Sequence, residues 1–240
     1  TLAIIKTYTM KYILLLLFLI PVLSFSQNFE GTLVYENDIE IAEKFSKQLG
    51  MTKEKMMESG QFFEETLTTY KNGNYLSKPN KGKIKVVYLS ERNEILTIDK
   101  KSELVPAIKA EIDLETELKE KSPKITVEQT DEIFLNIKCS KVIVEWETGT
   151  YEYFFNSDYL KMDSTLYSNH KYDMWSEFLK LSNSLPLKIV KRMDGMMTIT
   201  MTLKEIKEHS VNDKIFKLPK LELSKEFVVT KGNQVYYEKK

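Results

Sequence analysis

The sequence predicts an α+β domain built on a mostly antiparallel β-sheet that curls against a few helices. Three observations predict it. Short apolar runs are separated by Asn-Gly, Asp-Gly and Thr-Gly turn signals. The ribbons these turns create carry their large apolar side chains on one face. Stretches with helical spacing are few and short. Hydrophobic residues make up 42% of the 240, enough for a sizeable core, and eight Gly and six Pro are too few for a low-complexity chain.

Taken in order, the N-terminus reads as a leader. Met10-Lys11-Tyr12 precedes an unbroken apolar run at residues 13–23, then Ser24-Phe25-Ser26-Gln27. A short basic start, an apolar stretch and small residues make a secretory signal peptide. Residues 1–26 are therefore assigned to leader and signal peptide, with Met10 the expected start and residues 1–9 upstream of it. The apolar run is shorter than the roughly 20 residues a spanning helix needs. An uncleaved membrane anchor is the competing reading. No Cys follows the run, so a lipid anchor is not expected. The mature chain should begin near Gln27, be periplasmic or extracellular, and contain no transmembrane span. Taking Lys6 and Lys11 from the 35 basic residues leaves 33 against 35 acidic ones. So even a balance argues against a nucleic-acid partner.

Residues 27–219 read as one β-rich domain, with 220–240 a C-terminal tail or hairpin. A first strand alternates through residues 29–35. Ile41, Phe45 and Leu49 at i, i+4, i+8 predict an amphipathic helix ended by Gly50. Thr52 caps a second short helix whose Met56 and Met57 are expected to fill core space. Leu67, Thr69 and Tyr70 lead into Asn72-Gly73 and out through Tyr75-Leu76, a hairpin. Residues 83–89 and 95–99 flank Glu91-Arg92-Asn93. A three-residue loop there would pair Tyr88 with Leu96 and place Val86, Tyr88, Leu96 and Ile98 on one face. Residues 102–122 are rich in Glu and Lys and read as a charged helical excursion interrupted near Pro106, either a flap over the sheet or a solvated connector.

Residues 142–146 and 151–155 flank Thr148-Gly149. A two-residue loop would set Trp146 opposite Tyr151, Val144 opposite Tyr153 and Val142 opposite Phe155, with Glu145 facing Glu152 on the wet side. Residues 156–169 read as loop. Tyr172, Trp175 and Leu179, with Phe178 and Leu181 beside them, predict a helix able to pack across a sheet, with Asp173 near its start. Residues 184–203 form a hairpin around Asp194-Gly195. A loop of Met193, Asp194 and Gly195 would pair Ile189 with Ile199, Leu187 with Met201 and Leu185 with Leu203. The opposite face carries Lys188, Val190, Arg192 and three threonines and is read as wet. A last hairpin is expected between residues 227–230 and 235–237.

Chemistry-bearing patterns are sparse. His170 and His209 lack metal-ligand spacing, and with Cys139 the only cysteine no Cys/His zinc site is expected. A single thiol forms no internal disulfide; it reads as a buried, inert side chain. No nucleophile elbow, dinucleotide fingerprint or Walker loop occurs. No metal or cofactor is expected, and the chain is read as non-enzymatic, an unrecognised hydrolase around His170 or His209 being the last alternative. The one feature with two readings is the aromatic ribbon of Trp146, Tyr151, Tyr153 and Phe155, with Trp175 from the following helix. It is either core, or the lining of a groove on a curved sheet where a lipid or other apolar molecule lies.

Three motifs resemble a known family. Asn136-Ile137-Lys138-Cys139 resembles a Gly-Tyr-Lys-Cys strand start. Leu185-Pro186-Leu187-Lys188-Ile189 before a turn and a Thr-rich strand resembles a G-x-P-L hairpin. Residues 211–219 resemble a closing D-x-x-F-x-L-P segment. Together they resemble a family of exported Gram-negative proteins, a domain of unknown function similar to the periplasmic lipoprotein-carrier (LolA/LolB-like) fold. The resemblance covers residues 31–35 and 125–219. It implies an open half-barrel, a curved antiparallel sheet with helices on the concave side, and it carries over no catalytic residue. The function expected from all of this is an exported protein holding an apolar ligand in the sheet's groove. The alternative is a fully packed envelope or interaction protein without a ligand site.

Overall fold

The computed structural model describes residues 28–79, 83–113, 122–227 and 232–240. The expected signal peptide, the later part of the charged excursion and residues 228–230 of the last hairpin lie outside them. Thirteen strands form one antiparallel sheet. They are β1 (Gly31–Ile41), β2 (Glu65–Lys71), β3 (Asn74–Pro79), β4 (Ile84–Leu89), β5 (Glu94–Asp99), β6 (Leu104–Lys109) and β7 (Lys124–Phe134). The remainder are β8 (Ile137–Trp146), β9 (Gly149–Phe155), β10 (Lys188–Met193), β11 (Met197–Glu208), β12 (Leu221–Leu223) and β13 (Gln234–Lys239). Their order is β12-β13-β6-β5-β4-β3-β2-β1-β11-β10-β9-β8-β7. Successive hairpins account for most neighbours; the long closure is β1 against β11, which joins the two halves. Among the described residues three α-helices accompany the sheet: α1 (Glu43–Leu49), α2 (Lys53–Glu58) and α3 (Trp175–Ser182). Among the described residues no helix is long and apolar enough to cross a membrane.

Local chemistry explains where the chain turns. Asn72 and Gly73 both take positive φ, 47° and 76°, so the two-residue loop between β2 and β3 matches the twist of its strands. Gly50 ends α1 at φ 60°, and the Thr52 hydroxyl accepts from the Lys55 N–H at the start of α2. Both short helices form where the spacing predicts, but neither buries a residue. Leu49 and Met57 face solvent, so the expected Met core filling does not occur. Ile41 belongs to the end of β1 and not to α1.

Two registers keep the predicted faces but shift along the ribbon. Met193 pairs with Met197, so the β10–β11 loop is Asp194-Gly195-Met196, not Met193-Asp194-Gly195. Ile189 consequently faces Met201, and the Leu203 N–H donates to the Leu187 carbonyl. The turn explains the shift. The Met196 N–H donates to the Met193 carbonyl with Gly195 at φ 70° in the third turn position, which favours glycine. Likewise Trp146 pairs with Gly149, leaving Glu147 and Thr148 as the β8–β9 loop. Val144 then faces Tyr151 and Val142 faces Tyr153. Gly149 is needed for close approach: a Cβ there would lie 2.0 Å from the Arg192 carbonyl oxygen on β10. Gly149→Ala should therefore push β9 from β10 and lower stability by about 1–3 kcal/mol, measurable by urea denaturation; an unchanged midpoint would refute that contact.

Two further expectations fail in this half of the sheet. Tyr88 pairs with Ile95, and Val87 with Leu96, because the β4–β5 loop has four residues, Ser90 to Asn93. Tyr88 and Leu96 thus lie on opposite faces. Tyr75, Tyr88 and Ile95 join the main core, whereas Leu76, Val87, Leu89, Leu96 and Ile98 join a second core on the other side. That second core is closed by Val105, Ala107, Val211 and Phe216. The predicted helical excursion begins instead as β6, with Pro106 in the strand. Val105 and Ala107 alternate into the second core, and the β5 ladder ends at Ala107, one residue before Pro106 removes a donor. The C-terminal tail is part of the sheet: β13 pairs with both β6 and β12.

Candidate functional site

The ribbon singled out by sequence is divided by the fold. Register aligns Met201, Ile189, Tyr153 and Val142 in one row across β11 to β8. The next row is Ile199, Lys191, Tyr151 and Val144, and the next Met197, Met193, Gly149 and Trp146. Helix α3 lies over the first of these rows. Its Phe178 ring stacks on Tyr153 at 4.7 Å and meets Phe155 edge-on at 6.1 Å. Tyr153 is 1% exposed and Phe155 4%. The Tyr153 hydroxyl donates to the Asp173 carbonyl at 2.6 Å, and burial raises its pKa well above the usual value. Trp175 is also buried, edge-on to Tyr153. Leu181, expected beside these residues, points to solvent.

Trp146 and Tyr151 differ. They contact each other edge-to-face at 4.7 Å and are only half-buried. Lys191 lies 5.0 Å above the Tyr151 ring and pairs with Asp173. Of the five predicted site residues, then, Tyr153, Phe155 and Trp175 share one packed cluster while Trp146 and Tyr151 form a shelf beyond it. Five clefts of the described surface are lined by other residues than these; one of them, of about 550 Å³, is bordered by Glu30, Asp158, Lys161 and His209.

Behind α3 the aromatic packing continues in a way sequence did not show. Tyr75 stacks on Tyr88 at 5.1 Å and Tyr88 on Tyr167 at 5.8 Å. His170 sits among them, 4.4 Å from Tyr88 and 2% exposed, its Nε2 within 3.1 Å of the Tyr75 hydroxyl. Burial lowers its pKa to about 4, against a smaller upward pull from Asp173. It is a neutral core side chain. The residues come from β3, β4 and the 156–174 segment, so only pairing across 95 positions brings Tyr75 to His170. His209 is elsewhere, Nε2 to the Thr32 hydroxyl at 3.1 Å and Nδ1 to the Ser210 carbonyl at 3.1 Å. Among the described residues no group of three or more His, Cys, Asp or Glu is placed to hold a metal ion. Cys139 is buried, and burial raises its pKa, so the thiol stays protonated.

The outer face of the same strands is drier than expected. Glu152 faces Ile143, not Glu145, and is 8% exposed. It accepts from Lys141 at 3.0 Å and pairs with Arg192. Phe154 and Val190 are also buried there, with Lys188 5.1 Å above the Phe154 ring. Long cationic side chains cover apolar surface with their stems, so a face reading Lys188, Val190 and Arg192 need not be wet. Burial pushes the Glu152 pKa up, but the Arg192 and Lys141 hydrogen bonds and charges outweigh this and hold it below the usual value. The folded state therefore resists protonation more than the unfolded chain. The stability Glu152 supplies is present above the ordinary carboxylate pKa and is lost as pH falls through the lowered one. Glu152→Gln should cost about 1–3 kcal/mol at pH 7 and flatten the stability–pH curve below the ordinary carboxylate value of about 4.5; an equally steep fall below that pH in the variant would assign it to other carboxylates.

The scan against family models finds no match, and the search of curated proteins finds no significant relative.

Proposed function

We propose that the chain is an exported, non-enzymatic interaction protein with a packed interior, which binds through its surface and sheet edges. One observation carries this reading: Tyr153, the residue best placed to line a groove, is sealed against Phe178. The two histidines support the non-enzymatic part. His170 is enclosed and neutral, and His209 is tied to a threonine hydroxyl and a backbone carbonyl. The finer shape, an open half-barrel of lipoprotein-carrier type, belongs to the same proposal. The unbroken antiparallel order and α3 over one face favour it. So does Asn136, which stands at the glycine of the Gly-Tyr-Lys-Cys pattern and takes φ 62°, a value glycine holds readily.

A specific observation favours a second reading, an apolar or amphiphilic ligand on the shelf. Trp146 and Tyr151 are half-buried beside Met193, Met197 and Ile199, with the Lys191–Asp173 pair close by for a polar headgroup. Native mass spectrometry after mild extraction separates the two. The packed reading expects a bare mass in repeated preparations. A lipid-sized adduct that disappears in Trp146→Ala would overturn it in favour of the shelf. Esterase turnover abolished by His209→Ala would overturn the non-enzymatic reading.

A further inference from the structure

Strand β7 ends the sheet, and among the described residues nothing pairs with its outer edge. Such an edge presents a row of free N–H and C=O groups to any strand of matching pattern. Its second half is blunted. Thr130, Asp131 and Glu132 bulge opposite Cys139 alone, between the Gln129–Ser140 and Ile133–Lys138 pairs. The first half, Lys124 to Gln129, is regular.

The regular half reads Lys-Ile-Thr-Val-Glu-Gln. Let a second copy lie antiparallel to it about a two-fold axis through Thr126. Lys124 then faces the other copy's Glu128, Ile125 faces Val127, and Thr126 faces itself. Moving the axis by half a residue would set Lys124 against Val127 and Ile125 against Thr126, side chains of opposite faces, which a two-fold axis normal to the sheet forbids. Moving it by a whole residue sets Ile125 against Gln129 and Glu128 against Thr126. Only the first register matches charge with opposite charge and apolar with apolar, and symmetry makes each match twice.

The rows of the inner face lead to the same place. Ile125 extends the row of Val144 and Tyr151, and Val127 extends the row of Val142 and Tyr153. Val142 and Val144 are fully buried, yet Val127 is 49% exposed because its row stops at the edge. In the two-fold register Val127 of each copy meets Ile125 of the other, and the apolar rows run on from one sheet into the next. Lys124 and Glu128 are exposed; their existing pairs, with Glu145 and Lys141, are surface contacts that leave room for a further partner.

We infer that the β7 edge joins two copies of this chain into one continuous antiparallel sheet, through residues 124–129. This rests on the reading of the chain as a surface-binding protein. Sedimentation equilibrium on the protein purified from the exported fraction tests it. The wild type should show a reversible monomer–dimer equilibrium. Lys124→Glu alone and Glu128→Lys alone should each raise the dissociation constant about tenfold or more, since two repulsive pairs replace two attractive ones. The double swap, Lys124→Glu with Glu128→Lys, restores opposite charges and should restore the dimer. Circular dichroism on all four proteins confirms that the sheet is intact. A monomer at every concentration, or a dimer indifferent to the single swaps, would overturn the inference. A monomer with a bare mass would leave the packed reading standing, whereas a lipid adduct would remove that reading whatever the oligomeric state.

Discussion

Tyr153→Ala should lower the melting temperature by about 6–20 °C. The side chain is 1% exposed, stacked on Phe178, edge-on to Trp175 and hydrogen-bonded to the Asp173 carbonyl. Removing a large buried aromatic ring loses its transfer free energy and leaves a cavity, together about 3–5 kcal/mol. For a chain of this size each kcal/mol moves the midpoint by about 2–4 °C. Tyr153→Phe keeps the ring and loses only the hydroxyl's bond, so it should cost about 1–2 kcal/mol. Tyr151→Ala, one row further out and half-buried, should cost less than Tyr153→Ala. Differential scanning calorimetry on the three variants gives the ordering. If Tyr153→Ala melted like the wild type, the ring would be lining empty space and the packed interior would be wrong.

The second large effect is on acid stability. His170 keeps its proton off down to about pH 4 in the folded chain, against an ordinary value near 6.5. Between those values the unfolded chain binds a proton that the native one does not. Stability is therefore full above about pH 6.5 and falls as pH drops toward 4, by up to about 3 kcal/mol. His170→Phe keeps an aromatic ring between Tyr88 and Trp175 but cannot take a proton, so its stability should be level across that window. Of the groups facing the imidazole, Tyr75, Tyr88 and Tyr167 have pKa values raised by burial and stay protonated throughout that window, and the Asp173 carboxylate, paired with Lys191, is present in wild type and variant alike. Urea midpoints at half-unit intervals from pH 7 to 4 measure the difference. Parallel curves for wild type and variant would show that His170 is not buried as a neutral base.

The strands were legible from turn chemistry wherever one face was dry. Asn72-Gly73 located its hairpin to the residue, and the β8–β9 and β10–β11 ribbons kept their apolar faces even though each loop shifted along the chain. Pattern constrains the face of a strand, whose period is two, but it tolerates a slip of two positions. Around Tyr88 both faces are buried, so alternation could not choose, and the four-residue loop decided. The strand at Leu104–Lys109 was hidden by flanking Glu and Lys and by Pro106, whose place in the sheet depends on β13 from the far end of the chain. The aromatic ribbon was visible as a set. Whether it lined a groove was not, because Phe178 and Tyr167, which fill the space, arrive from segments with no pairing signal to the strands they cover. Glu152 was read as wet because neither Lys141 nor Arg192 is near it in sequence.

Hydrogen exchange followed by mass spectrometry tests the packed interior most directly, by comparing peptides from α3 with those from β9. A wall of the core exchanges with the strand it covers, through opening of the whole domain. Amides of residues 175–182 and 149–155 should therefore be protected together and lose protection at the same denaturant concentration. Fast exchange in 175–182 while 149–155 remains protected would show a helix that lifts from the sheet on its own, exposing Tyr153 and Phe155, and the groove reading would replace the packed one.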